Sequence, residues 1–136
     1  IMKIIKNLLF ISIAVIGLSI LISNSVTAQN LGTKRTDLQQ HDLSIPGYEF
    51  VQATVQIDPG VESLRHSHPG EEIVYVLEGL LEYKVEGREP VTLKAGEVLF
   101  IPAGAVHSAK NVGTGNAIEL ATYILEKGKP LIKIVK

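Results

Sequence analysis

The sequence predicts an all-β fold, a sandwich or barrel of short antiparallel strands. Its apolar residues are mostly Ile, Val and Leu, which favour strands, and aromatic residues make up only 5% of the chain. Apolar and polar residues alternate over short stretches, and Gly, Pro and Asn turn signals separate these stretches at regular intervals. After the N-terminal segment, no stretch keeps helical apolar spacing for more than two turns.

The N-terminal segment, residues 1–28, has the order of a secretory signal peptide. Lys3 and Lys6 precede an apolar run over residues 8–22, and Val26-Thr27-Ala28 resembles a signal-peptidase site. The run is shorter than the about 20 apolar residues of a membrane span. We therefore expect cleavage after Ala28, a periplasmic or secreted mature protein, and no stable membrane anchor after cleavage.

The remaining chain divides into a polar N-terminal arm, residues 29–47, and one domain, residues 48–136. The arm is weakly patterned, and we expect at most one short edge strand in it. The strands predicted in the domain cover residues 48–57, 73–77, 80–85, 91–93, 98–101, 107–112, 118–125 and 131–135. The turn signals between them are Asp58-Pro59-Gly60, Glu78-Gly79, Glu86-Gly87, Lys94-Ala95-Gly96, Pro102-Ala103-Gly104 and 113–116.

The stretch from Ile73 to Leu77 is apolar at every position, as in a strand that is buried on both faces. A domain of this size has few elements with which to cover both faces. We therefore expect a homodimer, and we place Tyr75 between sheets or at the dimer interface.

The composition excludes several classes of protein. Lys and Arg number 13 against 14 Asp and Glu, so a net charge of −1 argues against nucleic acid as a partner. Cysteine is absent, which excludes disulfides, thiolate metal sites and cysteine nucleophiles. A metal ion would therefore need nitrogen and oxygen ligands.

Such ligands occur together around His66 and His68. Residues two apart on a strand point to the same face, so both imidazoles can reach one ion. Glu72 has the same parity, and the Pro69-Gly70 bend could return its carboxylate to the same point. His107, on a separate strand, could be a fourth ligand. Two His and a carboxylate form a facial set for a divalent transition metal.

Two longer patterns contain these residues, and together they resemble the two sequence motifs of the cupin superfamily. The first, Gly-x5-His-x-His-x3-Glu-x6-Gly, is met by Gly60, His66, His68, Glu72 and Gly79. The second, Gly-x5-Pro-x-Gly-x2-His-x3-Asn, is met by Gly96, Pro102, Gly104, His107 and Asn111. The resemblance extends over residues 48–125, and its specific group is the small single-domain bacterial cupins that are similar to quercetin dioxygenase.

The resemblance implies an antiparallel jelly-roll β-barrel of six to eight strands with a metal ion inside. The implied ligands are His66, His68, Glu72 and His107, holding one divalent ion. Fe(II) or Mn(II) is favoured, with Ni(II) or Zn(II) as alternatives. Gly60, Gly79 and Gly96 would lie at turns. Pro102 and Gly104 would direct His107 inward, and Asn111 would hydrogen-bond nearby backbone.

Other candidate residues are not expected to be metal ligands. Glu71 has the opposite parity to Glu72, so we expect it to point outward, and His41 lies in the arm outside both motifs. Tyr83 and Glu82 are unconvincing as a general base, because parity alone does not place them. The sequence identifies no basic residue inside the barrel, no organic cofactor site and no catalytic residue beyond the ligands.

Three functions fit this metal site. The first is a metal-dependent enzyme on a small organic molecule, with a dioxygenase as the leading version, because four ligands leave two positions of an octahedral ion open. The second is a sugar or uronate isomerase or lyase, which requires a general base beyond the ligands. The third is a non-catalytic module that binds a metal or small ligand.

Overall fold

The structure, a computed structural model, describes residues 31–136; the predicted signal peptide lies outside them. Ten strands make up the described part of the chain, which contains no helix long and apolar enough to cross a membrane. In chain order the strands are β1 (Thr33–Asp42), β2 (Tyr48–Ile57), β3 (His66–Ser67), β4 (Glu71–Glu78), β5 (Leu80–Val85), β6 (Val91–Lys94), β7 (Val98–Ile101), β8 (His107–Asn111), β9 (Ala117–Glu126) and β10 (Lys133–Ile134).

The strands form two antiparallel five-stranded sheets. One sheet has the order β1-β2-β9-β4-β7, and the other has the order β10-β3-β8-β5-β6. The two sheets enclose a buried core of alternating inward side chains, among them Ile57, Val74, Leu81 and Ile101. The predicted all-β class is therefore confirmed, and the arrangement of two antiparallel sheets is that of a jelly roll.

The predicted arm contains a ten-residue edge strand, which is longer than the sequence indicated. Strand β1 pairs with β2 from Thr33↔Ile57 to Asp42↔Glu49, with a bulge after Asp37. Most of its side chains are exposed and polar, so the sequence has no apolar alternation that would predict this strand. Backbone pairing and polar contacts hold it, such as Gln39 Nε2 donating to Gln52 Oε1 at 2.8 Å.

Glycine at two turns is required by geometry. Gly79 has φ of +79°, and a Cβ there would lie 2.7 Å from the Asn116 carbonyl oxygen. Gly70 has no room for a Cβ, which would lie 1.9 Å from the Ile124 carbonyl oxygen. The bend at Gly70 joins β3 to β4 and therefore needs a residue without a side chain.

Strand β4 is not buried on both faces within one chain, contrary to its reading as a two-faced buried strand. Val74 and Val76 are fully buried, whereas Ile73, Tyr75 and Leu77 are 41%, 43% and 45% exposed. Strand β4 lies between β9 and β7, and nothing in the described chain covers the outer side of this sheet there. With neighbouring β7 side chains it makes an apolar outer face, consisting of Ile73, Tyr75, Leu77, Val98 and Phe100.

We expect this apolar outer face to be covered by a second copy of the chain, since exposed apolar patches of this kind commonly mark interfaces. Light scattering of the wild-type protein should give a dimer at micromolar concentration. Tyr75→Glu, which places a charge in the centre of the face, should give a monomer. Leu31→Glu, a change at a residue 94% exposed and outside the face, should leave the dimer intact. A monomeric wild type would contradict the expectation.

Candidate metal centre

The four predicted ligands come from both sheets and meet inside the barrel. His66 on β3 pairs with His107 on β8 in one sheet. Glu72 belongs to β4 in the other sheet, and His68 lies in the bend between β3 and β4. The site therefore assembles only when the sheets pack face to face. Two of the ligands, His68 and Glu72, lie on either side of the Gly70 bend.

The side-chain nitrogens of the three histidines are within reach of one ion. The ligating nitrogens of His66, His68 and His107 all lie within 4.8 Å of one another, so the three histidines could hold a metal. Glu72 Oε2 lies 3.0 Å from His107 Nε2 and 3.3 Å from His68 Nε2. Glu72, His68 and His107 are buried and His66 is partly so. The three imidazoles thus converge in a largely buried space, with the Glu72 carboxylate beside two of them.

Backbone carbonyls fix how the imidazoles present their nitrogens. The Nδ1 atoms of His66, His68 and His107 lie 2.6, 2.7 and 3.0 Å from the carbonyl oxygens of Leu64, Leu131 and Ala105. A carbonyl only accepts, so each neutral ring donates Nδ1–H and keeps its lone pair on Nε2. This arrangement is typical of metal-ligating histidines.

The turn before β8 explains the position of His107. Ala105 N–H donates to the Pro102 carbonyl at 3.1 Å, and Gly104 N–H donates to the His68 carbonyl at 2.8 Å. The turn is therefore tied to the segment that carries a second ligand. Because the same turn offers the Ala105 carbonyl to His107 Nδ1, it sets both the place and the tautomer of this ring.

Two buried polar atoms of the site lack a hydrogen-bond partner among the described residues, namely His68 Nε2 and Glu72 Oε2. Leaving a buried donor or acceptor unsatisfied costs about 1–3 kcal/mol, and more for a charged group. The two atoms lie 3.3 Å apart, and an ion bound by both would satisfy both. The residues present therefore fit a divalent transition metal with mixed nitrogen and oxygen ligands.

The electrostatics of the cluster favour ligand-ready forms for two of the groups. Burial opposes ionisation of Glu72, but the imidazoles of His107 and His68 outweigh it and hold the pKa of the carboxyl below its usual range. Burial and neighbouring His107 lower the pKa of His66 to about 4. Burial also disfavours the charged form of His107, but Glu72 prevails and raises the pKa of this ring.

We expect metal affinity to fall with decreasing pH, with His107 as the proton competitor. The pKa of His107 is raised above 6.5, so protonation of this ring competes with metal binding already at pH values just above 6.5. The pKa of His66 is about 4, so this ring becomes protonated only when the pH falls to about 4. Titrations with Mn(II) by calorimetry between pH 5 and pH 8.5 should show this loss and proton release on binding. A pH-independent affinity over this range would contradict the assignment.

The structure separates the other candidate residues from this cluster. His41 lies on β1, exposed, with its ring stacked on Phe50 at 5.6 Å between centroids. Glu71 is half-buried and pairs with Ile124 in the sheet, and alternation along β4 directs it away from Glu72. Glu82 is also half-buried and lies 3.9 Å from Lys84.

A cavity of about 80 Å³ adjoins the ligands and contains groups that the sequence analysis missed. Glu119 on β9 is buried and accepts a hydrogen bond from the Tyr83 hydroxyl. Burial and nearby Glu72 raise the pKa of Glu119 well above its usual value. Glu119 alternates with buried Ala117 and Ala121, so its inward parity was the signal that could have found it.

The positively charged side chain of Arg35 also lines the cavity, which corrects the expectation of no basic residue inside the barrel. Arg35 and Thr33 of β1 both line it, beside the ligands His66, Glu72 and His107. Both residues fall within the predicted polar arm, where no strand register was available to assign them to a face.

Comparison with known proteins gives the family. The family model described as the cupin domain matches residues 53–123, just over half of the chain. The chain therefore belongs to the cupin family, as its two motifs indicated.

Individual relatives match over part of their length. Germin-like protein 1-1 of Oryza sativa subsp. japonica is 35% identical over 88 residues, which are 59% of this chain and 41% of the relative. The oxalate-binding protein of Thermotoga maritima is 38% identical over 74 residues, or 54% of this chain and 60% of the relative. The chain thus spans less than two thirds of either of these relatives.

A solved structure confirms the fold. A conserved protein of Klebsiella pneumoniae subsp. pneumoniae with a double-stranded β-helix domain superposes with a TM-score of 0.65. The match has 22% sequence identity and covers 79% of this chain and 88% of that structure.

Proposed function

We propose that this cupin is an exported, metal-dependent enzyme that acts on a small organic molecule inside the barrel. The observation that carries the proposal is one cavity lined by two of the three clustered imidazoles, those of His66 and His107, and by the Glu72 carboxylate, together with a separate acid–base pair, Tyr83 and Glu119. His66, His68, Glu72 and His107 would hold the ion, with Fe(II) or Mn(II) favoured over Ni(II) or Zn(II). When bound, the ion would supply a Lewis acid with positions open to substrate.

The reaction class follows from what Glu119 can do. Burial and nearby Glu72 raise its pKa well above the usual value, which favours the protonated carboxyl, and the Tyr83 hydroxyl donates to it. A neutral carboxyl beside a metal site can give a proton to substrate and take one back. This favours a proton-transfer reaction, as in an isomerase or lyase, over the dioxygenase version, which needs no such group.

The dioxygenase version stays as the second candidate because of its donor set. Three imidazoles and one carboxylate would leave two positions of an octahedral ion for substrate and oxygen. A purely ligand-binding role is the third candidate, but proton transfer by Glu119 would have no function in it. The relative that is named an oxalate-binding protein shows that binding without a named reaction occurs among the proteins this chain resembles.

The test uses full-length protein loaded with Fe(II) or Mn(II) and a panel of phenols, diketones, flavonols, uronates and small hydroxy acids. Oxygen uptake with turnover supports the dioxygenase, and product without oxygen uptake supports proton transfer. In the second case, Glu119→Gln should lower kcat by about 100-fold or more at unchanged metal content. The matched control is Glu126→Gln on the same strand. Binding without any product across the panel would contradict the enzyme proposal.

A further inference from the structure

Strand β1 places two polar side chains on the wall of the metal cavity. Thr33 and Arg35 are two apart, so they share the inward face of the strand. Their partners on β2, Ile57 and Val55, line the same cavity, which fixes the register of both side chains against it. Asp37, the next residue of this parity, is exposed, so the inward face of β1 contributes these two groups.

The guanidinium of Arg35 is only partly satisfied by the described chain. Its side chain is 10% exposed, and Nε donates to Asp37 Oδ1 at 2.7 Å. The guanidinium carbon lies 5.4 Å from the centroid of the Tyr123 ring. Arg35 Nη1, however, is buried without a hydrogen-bond partner among residues 31–136, and so is Thr33 Oγ1. Burial of such a donor is costly, and arginine cannot lose its charge to avoid the cost.

The charge of the cavity indicates what these donors would bind. Glu72 and Glu119 are the two carboxyls that line it. A divalent ion would balance even two carboxylates, and Arg35 adds a further positive charge. The loaded cavity would therefore be cationic and would favour an anion. A planar guanidinium edge beside a hydroxyl fits the two oxygens of a carboxylate.

We infer that the cavity binds a small carboxylate, with Arg35 Nη1 and Thr33 Oγ1 donating hydrogen bonds to the carboxylate oxygens. The inference deepens the proposed function, on which it rests for the reaction at the metal, by naming the substrate class. Arg35 is the binding residue for the charge, and the remainder of the molecule extends towards His66, Glu72 and His107. The cavity beside these ligands has a volume of about 80 Å³ and is partly open to solvent.

Calorimetry with two isosteric probes tests the inference on metal-loaded, full-length protein. We expect wild type to bind propanoate at least about 10-fold more tightly than propanamide, since a charge-assisted pair contributes roughly 1.5–3 kcal/mol. Arg35→Gln should abolish this preference, and Thr33→Val should reduce it about 3-fold. The control is Arg88→Gln, because Arg88 is exposed and donates to the Phe100 carbonyl outside the cavity. Thr33→Val keeps the branched shape of the side chain and removes the hydroxyl, so it keeps the test valid if the Arg35 variant fails to fold.

The outcomes separate this inference from the proposed function. Equal affinity for the two probes in wild type, or an undiminished preference in Arg35→Gln, would overturn the carboxylate assignment, even with metal bound and turnover measured. An Arg35-dependent preference in a protein that retains no metal would support the assignment and contradict the metal-dependent enzyme. The metal content of Arg35→Gln, measured by mass spectrometry, should equal that of wild type, since Arg35 is not a ligand.

Discussion

Glu72→Ala should lose its divalent ion, whereas Glu71→Ala should keep it. The two residues are neighbours in the sequence, but β4 directs them to opposite faces, and only Glu72 lies within 3.3 Å of two ligating imidazole nitrogens. Altering a residue that merely supports a ligand already costs about 10–100-fold in metal affinity, so removal of a ligand should cost at least about 100-fold. Mn(II) or Zn(II) titration by calorimetry measures the effect.

Two further variants complete this test. His107→Ala should lose the ion to a similar degree, because this ring donates to the Ala105 carbonyl and presents Nε2 to the site. His41→Ala should retain it, because His41 stacks on Phe50 outside the cavity. If Glu71→Ala loses the ion and Glu72→Ala keeps it, the parity assignment is wrong. If Glu72→Ala and His107→Ala both retain it, the four-ligand site is wrong.

The sequence could indicate a ligand cluster because strand alternation and motif spacing act over short distances. His66 and His68 are separated by one residue, and Glu72 follows within one bend, so their common direction depends on local geometry alone. His107 is far away in sequence, and no pattern of its own assigned it to this cluster. The family motif supplied that link, and the His66↔His107 pairing between β3 and β8 shows its physical form.

The part of the cavity wall that β1 contributes was missed for a physical reason. Arg35 and Thr33 lie in a strand with mostly exposed, polar side chains, where hydrophobic periodicity carries no signal. Their inward direction depends on pairing with β2, a contact between distant residues that the sequence does not reveal. Glu119 is different, because the alternation of buried residues along β9 shows its direction and only its role was overlooked.

The exposure of β4 shows a further limit of pattern reading. An apolar run indicates that both faces of the strand are buried in the functional state. It does not indicate whether the residues that bury them belong to the same chain. Ile73, Tyr75 and Leu77 are exposed here, so any cover must come from outside residues 31–136. The same residues that made the strand look doubly buried therefore define the apolar outer face on which we expect a second copy.

Asn111→Ala should destabilise the fold by about 3–5 kcal/mol, a large share of the roughly 5–15 kcal/mol that stabilises a typical domain. The side chain is fully buried, and its Nδ2 donates to the carbonyls of Ile57 and Gly115, each at 2.8 Å. Its Oδ1 accepts from Gly113 N–H at 2.9 Å. Alanine leaves three backbone groups without these partners, at about 1–3 kcal/mol each when they stay buried. This network is the structural role expected for the last residue of the second motif.

Urea unfolding followed by circular dichroism measures the loss, with Asn116→Ala as the control. Asn116 belongs to the same turn but is exposed, so its replacement should cost under about 1 kcal/mol.

Asn111→Asp is a sharper variant, because it keeps the acceptor for Gly113 N–H but sets carboxylate oxygens against the carbonyls of Ile57 and Gly115. At pH 7 it should be at least as unstable as Asn111→Ala, and protonation of the new carboxyl at lower pH should restore part of the loss. Because Asn111 is not a ligand, both variants should retain the metal ion while they stay folded. A loss under about 1 kcal/mol in Asn111→Ala would show that water replaces these bonds and that the turn between β8 and β9 does not depend on this side chain.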